Sequence, residues 1–370
     1  MRWALGDKLI FARQRYEQLK RRFSANDRRQ EANFGRLRAA FFDRFWREAA
    51  RNIGAEIEWL GYGFFRITKA GKWTLVYDSK VMLDDHVTME MLGNKPLTHR
   101  LLQETDCPSP QFIEYDLSSL GKARDFLRSL RSSAVVKPAF GTGGGLGVTT
   151  KVCDEERLKR ASWYASCFHR SLLIEEEIPG HSYRLLYLNG KLIDAVRRDP
   201  PTVTGDGKRS IRQLMEDETG QRLRDTSAFR ALSPLSLDLA CVFYLREQGL
   251  TPAAIPGIQQ QIVVKSVINQ NSRSENHCVR EKIHSSIEEL GSRLVTSLGI
   301  RLAGLDLIAT EIGIPLKESG GVINEINSPP GLHYHVLVAE PSKKPPVGEL
   351  ILDHILSTSQ RITLTDHVAR

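Results

Sequence analysis

The sequence predicts an α+β fold, and three observations predict it. Short β-branched strands occur in pairs joined by tight turns, as in "YRLLYLNGKLIDAVRR" with its Asn-Gly pair. Helical stretches alternate with these pairs without forming a regular strand-helix repeat. Asp306, Glu325 and Asn327 lie inside apolar strand-like runs near the C-terminus, where an unpaired carboxylate is costly.

In chain order, residues 1–50 are expected to form a basic helical extension. Residues 1–51 hold 14 Lys/Arg against 6 Asp/Glu, which is the whole net charge of +8 in the 370-residue chain. The segment lacks proline and carries aromatics at helical spacings. Acids interrupt each basic run, which favours a docked helix with a solvated basic face over a nucleic-acid arm. Residues 51–94 open an N-terminal lobe with strands at "AEIEWLGYGFFRITKAG" and "KWTLVYDS". Residues 95–175 should form a central unit: a helix over "KPLTHRLLQET", a strand at "QFIEY", a helix across "SSLGKARDFLRSLR", a glycine hairpin, a helix near "DEERLKRASWYASCF" and the strand "SLLIEEE". Residues 176–370 should hold the Asn-Gly strand pair, a long and mainly helical stretch, "QIVVKSVINQNSRS", a helix to "SLG", two strands and a terminal helix.

No apolar run reaches the roughly 20 residues of a membrane helix, and "LIFA" is too short for a signal region. Five scattered cysteines without a CxxC pair favour a reducing cytoplasm over structural zinc or a disulfide frame.

The stretch "VVKPAFGTGGGLGV" concentrates glycine behind Lys137. Neither a Walker A loop nor the dinucleotide fingerprint fits, because Val148 follows Gly147 and Leu146 stands where a third glycine is needed. Its short β-branched flanks read as two strands, so it is either an ordinary turn or a lid that grips phosphate. Glu325 and Asn327 are two apart and share a strand face. With Asp306 they make an oxygen set suited to Mg²⁺, the alternative being exposed ends of edge strands. Lid and metal set together imply a nucleoside triphosphate held between two sheets.

On these residues the chain resembles the ATP-grasp carboxylate–amine ligases. The matching stretches are "GNKPLTHRLL", "VVKPAFGTGGGLGV", "IEEEIPGHSYRLLYLNGKLIDAVRRDPPTVTGDGKRSI", "AGLDLIA" and "INEINSPPGLHYH", in that order over some 240 residues. The resemblance implies the ATP-grasp fold, with ATP between two antiparallel-sheet subdomains and a smaller N-terminal α/β lobe. It implies Lys95 and Lys137 on the nucleotide phosphates, Gly141, Gly143, Gly144 and Gly145 in the lid, and Glu175, Glu176, Glu177 and Ile178 at the adenine hinge. Ser182 falls where an acid usually meets the ribose. Arg184 and Arg198 fall beside the transferred phosphoryl group, and Asp306, Glu325 and Asn327 on Mg²⁺, two ions of it. Lys265, Asn269, Arg273 and His335 fall on the substrate side. His333 and His335 also admit a transition-metal reading.

The activity implied is ATP-dependent joining of a carboxylate, from an amino acid or peptide, to an amine through an acyl phosphate. Arg273 and Ser274 replace two glycines usual in the loop "INQNSRSEN", which adds positive charge and points to an acidic substrate. A glutathione-synthetase-like or glutamate-adding ligase is the alternative, as is a silent ATP-binding protein acting through its basic segment. Small-molecule or peptide substrates are expected as partners, without a membrane; a homo-oligomer is left open. Every implied site residue lies beyond residue 45, so removing residues 1–45 is expected to spare the ATP site.

Overall fold

The computed structural model describes residues 25–142, 145–224 and 231–358, with side chains from residue 32 onward. The long helix α1 (Ala25–Asn52) buries Phe34, Phe41, Phe42, Trp46, Ala49 and Ala50, positions that recur at one-turn and two-turn spacings. After it comes an antiparallel meander, β1 (Glu56–Gly61), β2 (Phe64–Lys69), β3 (Lys72–Tyr77) and β4 (Lys80–Val81). Then α2 (His86–Gly93) runs into α3 (Lys95–Glu104) through Asn94, whose side chain caps α3 by accepting from Leu97 N at 3.0 Å.

The central sheet has the order β5-β8-β6-β7, all antiparallel, from β5 (Phe112–Tyr115), β6 (Ala134–Pro138), β7 (Thr149–Val152) and β8 (Leu172–Glu176). Helices α4 (Leu120–Ser129) and α5 (Glu155–Ser166) close one core around Ala123, Leu127, Leu158, Ala161 and Ile174. Asp154 caps α5 through Arg157 N at 2.8 Å, with Glu155 and Glu156 in the first turn.

The larger sheet is also antiparallel, in the order β13-β10-β9-β14-β15. Its strands are β9 (His181–Leu188), β10 (Lys191–Arg198), β13 (Asn276–Cys278), β14 (Leu302–Ala309) and β15 (Val322–Asn327). Asn189 (φ +47°) and Gly190 (φ +78°) make the two-residue turn between β9 and β10 that the Asn-Gly pair predicts. Helix α8 (Ser285–Ser297) covers one face of this sheet through Ile287, Leu294 and Val295. The other face, at Leu186, Leu188 and Leu302, shares a core with α1, the meander and α9 (Val347–Thr358).

Between β10 and β13 lies an insert with its own core of Val203, Ile211, Leu214, Cys241, Leu245 and Ile262. It contains β11 (Thr202–Thr204), α6 (Ile211–Arg224), α7 (Leu239–Glu247) and β12 (Gln261–Val263). The expected long helical stretch is thus two helices followed by a non-helical run over 248–260, where Gly249, Pro252, Pro256 and Gly257 break the periodicity. The insert grips the central sheet. Arg157 pairs with Glu247 at 2.6 Å, Thr150 Oγ1 lies 2.7 Å from Ser266 Oγ, and Lys151 stands over the Tyr244 ring at 5.1 Å. None of the described helices is long and apolar enough to cross a membrane.

Candidate nucleotide and metal site

A cleft of about 590 Å³ opens between the two large sheets. It is lined by Lys95, Lys137, Gly145, Glu175, Glu176, Glu177, Ile178, Ser182, Arg184, Arg198, Asn269, Asp306, Glu325 and Asn327 of the expected residues. These come from α3, β6, β8, β9, β10, β14, β15 and the loop before β13, so only the tertiary fold unites them.

Lys137 sits buried on β6, its Nζ 2.7 Å from Glu175 Oε2 on the neighbouring strand; His99 Nε2 is 3.2 Å from the same oxygen. Burial pushes the Glu175 carboxyl up, but Lys137 and His99 more than offset it and hold it below the usual glutamate range. The Glu175 side chain therefore orients the lysine. Lys95 Nζ donates to the Thr142 carbonyl at 3.1 Å and lies 3.8 Å from Glu325. Burial, aided by Lys137 and opposed by Glu325, holds Lys95 below the usual lysine range. Two cations thus converge beside the lid.

The hinge is already partly committed. Glu176 N donates to Gln111 O and Glu177 N to Ser133 O, both at 2.9 Å, while the Glu177 carboxylate accepts from Lys151 N at 2.8 Å. A base at this stretch would meet its carbonyls and Ile178. In the lid, Gly145 has φ +68°, and a Cβ there would fall 2.0 Å from Val267 Cγ1. That position can only be glycine while the lid rests on the loop before β13. Gly141 also has positive φ (+69°); Gly143 and Gly144 lie outside the described residues.

At the other end, Asp306 on β14 faces Arg184 on β9 in register. Arg184 Nε and Nη2 each donate to the Asp306 carboxylate at 2.6 Å, and Arg198 Nη2 stands 3.2 Å from Oδ1. All three are buried. Burial pushes Asp306 up, and the two guanidiniums overcome it, so the carboxylate stays ionised. Tyr334 lies beneath both guanidiniums, 5.3 and 5.1 Å from ring centroid to the Arg184 and Arg198 carbons. Ser182 Oγ accepts from Arg198 Nη2 at 3.3 Å, which ties it to this cluster.

Glu325 is the register partner of Asp306, and Asn327 Nδ2 is 3.4 Å from Asp306 Oδ2. Among the described residues no group of three His, Cys, Asp or Glu could hold a metal; this set is two carboxylates and an amide. Oxygen donors alone, with cations at hand for phosphate, fit Mg²⁺ and not a nitrogen- or sulfur-seeking ion.

Three expected substrate residues do not line this cleft and meet partners within the protein. Lys265 is buried against Asp238 (2.7 Å) and Ser236 Oγ (2.8 Å). Arg273 Nε donates to the Val338 carbonyl at 2.8 Å, fastening its loop to the segment after Tyr334. His335 is fully buried, with Nδ1 2.7 Å from Asp194 Oδ2, so it and His333 form no metal pair. Each charge meets a partner that sequence spacing does not reveal. Residues that the sequence did not single out are Arg38, His99 and Tyr334; the matching stretches "GNKPLTHRLL" and "INEINSPPGLHYH" contain His99 and Tyr334, whereas Arg38 carried no signal.

No family model matches the chain. Over 249 residues it is 28% identical to a cyanophycin synthetase from Trichormus variabilis, covering 67% of this chain and 27% of that protein. Over 312 residues it is 26% identical to a glutathione biosynthesis bifunctional protein from Listeria monocytogenes, covering 84% of this chain and 40% of that one. The chain thus spans between about a quarter and two fifths of the curated relatives it matches. Among solved structures, the bifunctional glutathione synthetase from Pasteurella multocida superposes with a TM-score of 0.52 at 21% identity, covering 82% of this chain and 41% of that one. With two antiparallel sheets closing on a lysine- and carboxylate-lined cleft, the chain has the ATP-grasp fold and resembles the ATP-grasp carboxylate–amine ligases.

Proposed function

We propose that the protein is an ATP-dependent ligase joining a carboxylate, from an amino acid or peptide, to an amine. The observation that carries the reading is one cleft in which Lys95, Lys137, Arg184, Arg198, Asp306, Glu325 and Asn327 converge from both sheets. Lys95 and Lys137 take charge on the triphosphate, and the lid glycines close over it. Arg184 and Arg198 stand where charge builds on the transferred phosphoryl group, pre-oriented by Asp306, so little reorganisation is needed at the moment of reaction. The substrate carboxylate oxygen attacks the γ-phosphorus, the bond to the β-γ bridging oxygen breaks, and ADP leaves an acyl phosphate. The amine then attacks the acyl carbon, phosphate departs, and the amine gives up a proton. No protein nucleophile is used; positioning carries the rate.

Asp306, Glu325 and Asn327 would hold Mg²⁺, read here as two ions, which would supply Lewis-acid polarisation of the phosphate oxygens. A cytoplasmic setting, supported by five scattered cysteines without a CxxC pair, and the four-part division at residues 50, 94 and 175 belong to the same reading. The N-terminal helix, a part of its own in that division, shares one core with the meander.

The test is a Glu325→Gln/Asn327→Ala double variant. Mg²⁺-dependent ADP formation should disappear while the thermal unfolding profile persists, and wild-type protein should yield an amide product by mass spectrometry. Near-normal ADP formation in the folded variant would refute the metal assignment.

A further inference from the structure

Arg38 reaches the same cleft from α1, a helix outside all the motifs discussed above. Its placement is built. Phe41, Phe42 and Trp46 are buried around it, and Trp46 Nε1 donates to the Asp78 carbonyl at 2.8 Å. The Asp78 carboxylate then accepts from Arg38 Nε at 2.6 Å and Nη2 at 2.8 Å. A guanidinium has two edges that can each grip a carboxylate, and Asp78 occupies only the Nε edge. The Nη1–Nη2 edge is left for the cleft that Arg38 lines.

Arg38, Arg184 and Arg198 face Asp78 and Asp306, while Glu325 lies beside Lys95. His333, the neighbour of Tyr334, has a buried Nδ1 without a hydrogen-bond partner. Burial, followed by the fields of Arg38 and Arg184, holds that imidazole well below its usual range, so it adds no charge of its own. Lys265 and Arg273, the other basic side chains expected on the substrate side, are committed to Asp238 and to the Val338 carbonyl.

We propose that Arg38 binds a second carboxylate on the acyl substrate, which makes the substrate class dicarboxylates and peptides with a free carboxylate besides the one activated. Asp78 is a positioning residue that aims the guanidinium. The inference rests on the ligase reading above and adds a substrate class to it.

The test uses the full chain with Mg²⁺-ATP and hydroxylamine, which traps an acyl phosphate as a hydroxamate whatever the natural amine. Matched probes differ by one carboxylate: glutarate against butyrate, L-glutamate against L-glutamine, and L-alanyl-L-glutamate against L-alanyl-L-glutamine. The acidic members should have the lower KM. Arg38→Ala should raise their KM roughly ten- to a hundredfold, the usual loss for a charge-assisted contact, with the KM for ATP and for the neutral members unchanged. Arg38→Lys should recover part of the loss and, keeping the long stem, serves if the alanine variant fails to fold. Asp78→Asn should shift the same KM in the same direction by less. Equal KM values within each pair in wild type, hydroxamate from neutral members alone, or an Arg38→Ala effect equal on both members would overturn the role of Arg38. Hydroxamate from no carboxylate at all would overturn the ligase reading and this inference together.

Discussion

Replacing Lys137 with Met should separate what the buried lysine does for the fold from what it does for ATP. Lys137 and Glu175 are both less than 10% exposed and 2.7 Å apart, so solvent screens the pair little. Removing one member of such a pair leaves an uncompensated buried charge and typically costs about 3–5 kcal/mol. His99 Nε2 remains 3.2 Å from the same oxygen and places the expected loss near the lower bound. Adding Glu175→Gln to Lys137→Met removes the orphaned charge and should recover most of the stability, without restoring ATP binding.

The pH dependence has a definite sign. In wild type the folded-state pKa of Glu175 is depressed, so its stabilisation is present above the ordinary glutamate pKa and fades as pH falls. Without Lys137, burial prevails and the folded pKa rises above the unfolded one. The deficit of Lys137→Met should therefore be fully present at neutral pH and shrink as pH falls toward the carboxylate range. Urea unfolding at several pH values, with MgATP titrations on the same proteins, measures both effects. A single variant as stable as wild type, or a double variant no more stable than the single, would refute the reasoning.

Deleting residues 1–45 should cause aggregation or a large fall in unfolding temperature, although every site residue that the resemblance implies lies beyond them, because Phe41 and Phe42 are 2–4% exposed in a core shared with β2, β3 and α9. Gel filtration and thermal melts decide it; a monomeric, cooperatively melting truncation would be the contrary result. Arg273→Gly should leave the KM of every carboxylate probe unchanged and cost about 1 kcal/mol of stability for the lost bond to Val338 O. Steady-state kinetics and urea unfolding check it, and a carboxylate-specific KM increase would restore Arg273 to the substrate side.

Local signals were the legible ones. The Asn189-Gly190 turn, the glycine lid and the same-face pair Glu325 and Asn327 each follow from a few adjacent residues, whose backbone or spacing preference is intrinsic. Arg184, Arg198 and Asp306 were legible as a set because the resemblance supplied their company. The partners of Lys265, Arg273 and His335 were not legible, because a side chain near a site does not disclose which way it faces. Asp238, the Val338 carbonyl and Asp194 settle that, and they lie 27, 65 and 141 residues from their partners. Arg38 was hidden by averaging. The charge count of the N-terminal segment treats all basic residues alike, whereas Asp78, 40 residues on, makes this one a cleft residue.

The core that α1 shares with α9 also constrains the order in which the molecule can be assembled. Ala49 meets Gly348, Asn52 Nδ2 donates to Glu349 Oε1 at 2.6 Å, and Lys69 reaches Asp353 at 3.0 Å, contacts between residues nearly 300 positions apart. The aromatic face of α1 leaves the ribosome before residues 347–358 and has no complete partner until they follow it. During that interval Phe41, Phe42 and Trp46 present a greasy helix to the cell, a hazard typical of chains rich in distant contacts. Arg36, Arg44, Arg47 and Arg51 on the same helix add charge that favours solubility over that interval.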